Sequence, residues 1–212
     1  MINEEDHLRI QVISAGLELE NSLNLAMEID KKLEEKNIKY KNLIIYNENT
    51  KIKTKHFNIE FFRTTHSIPD SHGIVIHTIN GTIVTTGDFK FDLTPIGPMA
   101  DLYKMASLGE EGVDVLIGDS TNALNEGFST SESAVDETLN EMFDKCRNNR
   151  IIIATFASNV YRLKHIVDNC RRNGRKIAIF GRSMENNIEI SIEGGYIKDN
   201  NIFVSSEVAN TL

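Results

Sequence analysis

The residues in this chain best suited to chemistry are His66, Asp88 and Asp119, and each stands where an apolar run gives way to polar sequence. His66 sits in RTTHSIPDSHG, between two strand-like stretches, and Asp88 follows Gly87 at the end of TIVTTGDF. Neutral imidazole donates a ring nitrogen to zinc, and a carboxylate can bridge two zinc ions while balancing their charge. In α/β folds ligands gather at the carboxyl ends of strands. Four polar clusters occupy such positions: Thr65-His66-Ser67, Gly87-Asp88, Asp119-Ser120-Thr121-Asn122 and Ser158-Asn159; a fifth, Gly181-Arg182-Ser183, sits between a strand and a helix. Each has an ordinary reading as well. Asp88 could close a turn, Asp119 could cap a helix, and Ser158 or Ser183 could serve as an N-cap. The other histidines, His7, His56, His72, His77 and His165, show no HxH or HxxxH spacing, so spacing alone does not establish a metal site.

The elements that must position these groups can be read from periodicity. RIQVISAG at 9–16 alternates as a weak strand, and the apolar spacing of Leu23, Ala26, Met27 and Leu33 predicts a helix over 21–36. YKNLIIYNE reads as a short strand. HFNIEFF is a clearer one, with Phe57, Ile59 and Phe61 on one face, and the lysines of NTKIKTKH read as a solvated strand face. GIVIHTINGTIVTTGDF predicts a hairpin over 74–86, turning at Asn80-Gly81, a pair suited to left-handed dihedrals. A short helix is expected near 99–108 and a strand in GVDVLIGD. The rhythm then changes to helix 131–147, strand 151–155, helix 159–173, strand 176–180, helix 184–194 and a short strand in NIFVS. Short strands separated by helices imply crossover units and a parallel sheet.

Composition narrows the class. The 212 residues are 40% hydrophobic, enough for a substantial core. A formal charge of −8, from 31 acidic against 23 basic residues, gives no global attraction to nucleic acid, although local basic patches can still hold phosphates. No run of about 18 apolar residues suggests a membrane span, and the acidic start MINEEDHLRI is unlike a secretory signal. Cys146 and Cys170 form no zinc-type pair and read as buried free thiols, which suits a reducing, cytoplasmic setting.

RTTHSIPDSHGIVIHTINGTIVTTGDFKFD, then VLIGDSTNALNEGFSTSE, ATFASNVYRLKHIVDNCRRNGRK and IFGRSM, closely resemble the bacterial ribonuclease J family in the family's order, from about residue 43 to residue 212. The resemblance implies an α/β chain: part of a metallo-β-lactamase αββα sandwich over 1–125, then part of a β-CASP parallel-sheet domain over 126–212. It also implies zinc-dependent hydrolysis of RNA phosphodiesters, as endonuclease and 5′-to-3′ exonuclease, with two zinc ions and RNA as partner. Homo-oligomers are possible in the intact enzyme. By resemblance His66 and Asp88 are metal ligands, Asp88 the bridging one. Asp88 and Asp119 are the catalytic carboxylates, and Ser158, Arg182, Lys164, Arg171 and Arg172 fall near the RNA path. Arg162, Arg175 and Lys176 extend that basic stretch.

The departures carry equal weight. The family's HxHxDH motif is missing upstream of His66, and the chain ends before the family's later histidines. The expectation is therefore an incomplete chain, weak or inactive alone and without a stoichiometric dinuclear zinc centre. The alternative is a noncatalytic RNA-binding or structural remnant. A lactamase-fold hydrolase with another substrate is a third reading, disfavoured by the β-CASP-like segments.

Overall fold

The computed structural model describes residues 44, 46–198 and 201–209. The expected strand at 9–16, the helix at 21–36 and most of the strand in YKNLIIYNE lie outside the described residues.

The first part is a sheet of order β1-β2-β3-β4-β5: β1 (Lys51–Lys53), β2 (Asn58–Arg63), β3 (His72–Thr78), β4 (Gly81–Thr85) and β5 (Val115–Ile117). The first four are antiparallel neighbours, and β5 joins β4 in parallel. That last pairing needs a crossover, supplied by helix α1 (Leu102–Glu111). The helix begins at Asp101, whose carboxylate accepts from Lys104 N at 2.9 Å, so it starts three residues later than its apolar spacing suggested. Phe62, Val75, Val84 and Leu108 form one buried cluster, with Met105 and Val113 against it.

The predicted apolar face of HFNIEFF is half the story. Ile59 and Phe61 are buried as expected, Phe57 precedes the strand and is exposed, and Phe62 is buried on the opposite face. Covered on both sides, β2 does not alternate cleanly. Tyr46 stacks on Phe61 with centroids 4.0 Å apart, while Phe62 lies over its cross-strand partner Gly73. A Cβ on Gly73 would stand 2.1 Å from Phe62 Cζ. Gly73→Ala is expected to destabilise the chain by about 1–3 kcal/mol through overpacking. Urea denaturation followed by far-UV circular dichroism, suited to a chain without tryptophan, measures it.

The hairpin forms where expected, but its turn sits one residue earlier. Thr78 pairs with Gly81, leaving Ile79-Asn80 as the loop, and Gly81 alone takes a positive φ, of 143°. Two contacts hold this register. Asn80 N donates to Thr78 Oγ1 at 3.0 Å, and Thr82 N donates to Asp114 Oδ2 at 2.7 Å. Asp114 thereby ties the turn to the strand that follows α1, and a side chain at Gly81 would collide with that carboxylate.

The lysine-rich stretch is the wet strand face its alternation implied, with Lys51 and Lys53 exposed. Glu60 on β2 takes Lys104 Nζ at 2.5 Å and Lys51 Nζ at 2.9 Å. These two bonds, Lys104 first, outweigh burial and lower its pKa from 4.5 to about 2. Its stabilising contribution is therefore complete above about pH 4.5 and is lost as pH falls toward 2. Glu60→Gln is expected to flatten stability across that window, read as urea midpoints at a series of acidic pH values.

The second part contains α2 (Glu132–Lys145), α3 (Val160–Arg172), β6 (Ile177–Ala178), α4 (Arg182–Glu193), β7 (Phe203–Val204) and α5 (Ser206–Ala209). β6 and β7 are parallel, as the helix-strand rhythm required. The helices pack through Phe143, Leu163, Val167, Cys170, Ile188, Ile197 and Ile202. The strand expected at 151–155 does not form: Ile151 and Ile153 pack against this core and Ile152 faces out, yet no ladder partner is present among the described residues. Alternation records which side is buried; a strand also needs a neighbour. Cys170 is buried, which pushes its thiol up to about 11, and Cys146 is half-buried; both are free. Among the described residues no helix is long and apolar enough to cross a membrane.

Candidate metal and RNA site

His66 and Asp88 lie 22 positions apart in sequence, and the hairpin returns them to one edge. What closes the distance is a short backbone zipper between the loops. Lys90 N donates to Thr65 O at 2.8 Å, and the Thr65 hydroxyl donates back to Lys90 O. Thr86 N donates to Ile117 O at 3.0 Å, which draws the Gly87-Asp88 corner to the end of β5. As a result His66 Nε2 stands 4.0 Å from Asp88 Oδ2, the convergence that their strand-end placement implied. The imidazole is three-quarters buried, whereas Asp88 remains 79% exposed.

Asp119 closes the third side. It caps no helix; its Oδ1 accepts from Thr121 Oγ1 at 2.6 Å and Thr121 N at 2.8 Å, an Asx turn. The Thr121 hydroxyl and N–H hold the carboxyl below its ordinary range, with smaller help from Phe89 N–H and His66. Asp119 is therefore ionised at neutral pH and can accept protons in hydrogen bonds but not donate one. All three side chains line one cavity of about 290 Å³, shared with Thr64, Lys90 and Tyr161.

A seam of polar contacts joins the cavity to the second part. Asp92 is buried, and burial alone would raise its pKa. Bonds from Glu132 N and Thr94 N, with Lys90 beside it, prevail and lower it. Glu132 accepts both contacts of the Arg162 guanidinium at 2.9 Å and takes Lys90 Nζ at 3.2 Å. On the other side, Tyr196 Oη donates to Asp70 Oδ2 at 2.5 Å. Of these partners only Arg162 was singled out from sequence, and as an RNA-facing cation, not as the partner of Glu132. The one available signal was Asp92, four positions beyond Asp88 in GDFKFD.

The candidate RNA residues are spread more widely. Ser158 is exposed beside Asn159, and Asn159 is the residue that caps α3, accepting from Arg162 N at 3.1 Å. Arg182 is exposed in the first turn of α4, after Gly181 rather than a Ser183 cap. Lys164 and Arg171 both pair with Asp168 on α3, at 2.5 and 3.3 Å, and Arg172 is exposed at its end. The other three cations have structural partners: Arg162 holds Glu132, Arg175 bonds the carbonyls of Asn149, Cys146 and Arg147, and Lys176 bonds Asn201 O.

In type, the donors fit zinc. An imidazole nitrogen and a carboxylate oxygen facing each other at 4.0 Å suit the ion chemically. Zinc sites take three or four protein ligands, however, and among the described residues no group of three His, Cys, Asp or Glu side chains is placed to hold a metal. The pair offers two donors.

Over most of its length the chain is similar to known proteins. Residues 148–212 match the family model "Ribonuclease J, beta-CASP domain". Over 152 residues the chain is 53% identical to Ribonuclease J 1 of Streptococcus pyogenes serotype M3, covering 72% of this chain and 27% of that protein. The chain belongs to the ribonuclease J family. Ribonuclease J of Mycoplasma pneumoniae is 37% identical over 179 residues, 84% of this chain and 31% of its own length. The chain thus spans less than a third of the curated relatives it matches. A solved protein of unknown function from Enterococcus faecalis V583 shares the fold with a TM-score of 0.57 at 16% identity, covering 89% of this chain and 47% of that one. The fold is accordingly α/β, a partial metallo-β-lactamase sheet followed by part of a β-CASP domain. Residues 1–44 match another family model, "ATP:guanido phosphotransferase, C-terminal catalytic domain". The stretch before the ribonuclease J residues, which lacks HxHxDH, is thus similar to a different family.

Proposed function

We propose that residues 43–212 are a segment of a cytoplasmic, zinc-dependent ribonuclease that hydrolyses RNA phosphodiesters as an endonuclease and a 5′-to-3′ exonuclease, and that this chain by itself is weak or inactive. The observation that carries the reading is the convergence of His66, Asp88 and Asp119 on one cavity in a chain of this family. Zinc, held by His66 and Asp88 together with ligands from outside the described residues, would supply the charge that brings the pKa of water into the neutral range. His66 enters that arrangement with its ring mostly enclosed and Nε2 directed at Asp88, so it needs little reorganisation. Asp88, exposed and anionic, offers the negative charge that balances cations at the phosphate. Asp119, locked by Thr121, would orient a water by accepting a hydrogen bond from it. Hydrolysis adds water across a P–O bond, and the departing oxygen takes a proton. The attacking water supplies that proton: its hydroxyl goes to phosphorus and its hydrogen to the departing oxygen. The two-donor count also favours a second reading, a noncatalytic RNA-binding remnant.

A segment graft separates the readings. Residues 43–212 replace their counterpart in the Streptococcus pyogenes serotype M3 relative, and degradation of 5′-monophosphorylated single-stranded RNA is followed with added zinc for the graft and for the unmodified chain. The expected result is an active graft and a chain slower by about 10²-fold or more, the scale of a lost metal-site component. A graft that folds and binds zinc yet leaves RNA intact would establish the remnant instead.

A further inference from the structure

We propose that Tyr161, with Ile96 and Pro98, forms an apolar wall that receives a nucleobase of the RNA beside the His66–Asp88 edge. The inference rests on the ribonuclease reading and names a substrate contact for it. Tyr161 lies in the first turn of α3 and reaches the cavity that holds His66, Asp88 and Asp119, where Ile68, Phe89, Pro95, Ile96 and Pro98 give the lining its apolar part. An RNA hydrolase must place a phosphate at the carboxylate edge, and the base attached to it needs a surface with a π-face or hydrocarbon. Single-stranded bases are held in this way by aromatic side chains.

The ring is built in place. Gly97 lies against its phenol end so closely that a Cβ there would stand 2.4 Å from Tyr161 Cζ. Tyr196 meets it edge-on, with centroids 6.2 Å apart and planes at 87°. Tyr196 is itself anchored by its hydroxyl to Asp70, a residue held at a positive φ of 54°. A rigid aromatic loses little conformational freedom when a base settles on it. Burial, with the Asp70 carboxylate nearby, pushes the Tyr161 phenol up to about 12, so the hydroxyl stays protonated at neutral pH. A second observation also points to a ligand. Thr64 lines the same cavity at 4% exposure, and its Oγ1 has no hydrogen-bond partner among the described residues. A buried hydroxyl of that kind is costly unless something polar meets it, and a ribose or phosphate oxygen would.

The test is binding by the full 212-residue chain, which needs no catalysis. Fluorescence anisotropy compares a labelled oligouridylate with a matched abasic ribose–phosphate oligomer, for the wild-type chain, Tyr161→Ala, Tyr161→Phe and Gly97→Ala. One base–aromatic stack corresponds to about a 5- to 150-fold change in affinity. Tyr161→Ala is expected to lose that factor on oligouridylate and nothing on the abasic oligomer. Tyr161→Phe retains binding, and Gly97→Ala, which displaces the ring without changing its chemistry, loses part of it. Thermal melts show that each variant is folded. Equal losses on both oligomers, or no loss on either, would overturn the base wall. A folded wild-type chain that binds no oligouridylate overturns it too, and the graft assay then still decides the hydrolytic reading by itself.

Discussion

In the active graft, Asp88→Asn is expected to lower kcat/KM for RNA by about 10²-fold or more, a loss of transition-state stabilisation of about 2.7 kcal/mol or greater. The amide keeps the size and shape of the carboxylate and removes its charge, so the change tests electrostatics and not packing. Asp88 is 79% exposed, and among the described residues its ionic partner is His66 at 4.0 Å, so little of the fold depends on it. His66→Gln should produce a loss of similar size, because the amide cannot replace the imidazole nitrogen facing the carboxylate. Glu110→Gln, on the exposed surface of α1, serves as the control for unaltered rates. Steady-state kinetics with zinc analysis of the same samples checks the claim. A fully active Asp88→Asn variant with wild-type zinc content would remove Asp88 from the chemistry.

Phe143→Ala is expected to remove about 3–5 kcal/mol of stability, the usual range for deleting a buried phenyl ring. Phe143 is 2% exposed and is the buried anchor of α2 in the second core. It also supports a cation: the Arg175 guanidinium carbon lies 5.7 Å from its ring centroid, while the same side chain bonds the carbonyls that end α2. Losing the ring therefore opens a cavity and loosens the corner where α2 ends. Since a domain is stable by only about 5–15 kcal/mol, the second part should unfold at far lower urea. Phe143→Leu, which refills most of the volume, should cost much less. Equilibrium urea curves for the three proteins give the comparison, and a loss below about 1 kcal/mol for the alanine variant would mean that the site collapses around the gap.

Much of the architecture was legible because its signals are local. The helices of the second part follow from apolar residues three and four positions apart, and the β3–β4 hairpin from two β-rich runs flanking a turn. The parallel pairing of β6 and β7 follows from the helix that must cross between them. The placement of His66, Asp88 and Asp119 at strand ends is local in the same sense. Their convergence is not: it depends on Lys90 N reaching Thr65 O and on Asp119 being held by Thr121 beside the same edge. No spacing rule contains those contacts. The turn register at Ile79-Asn80 was likewise decided at a distance, by Asp114 beyond α1. Whether 151–155 became a strand depended on a partner and not on its own alternation. Arginines show the limit most plainly. Sequence offers Arg162, Arg171, Arg172 and Arg175 as equivalent cations on one basic stretch, and the fold commits Arg162 to Glu132 and Arg175 to three carbonyls. Residue type and spacing determined which groups could do chemistry here. Tertiary structure alone decided which of them meet, because a side chain's partner is set by packing between elements that are remote in sequence.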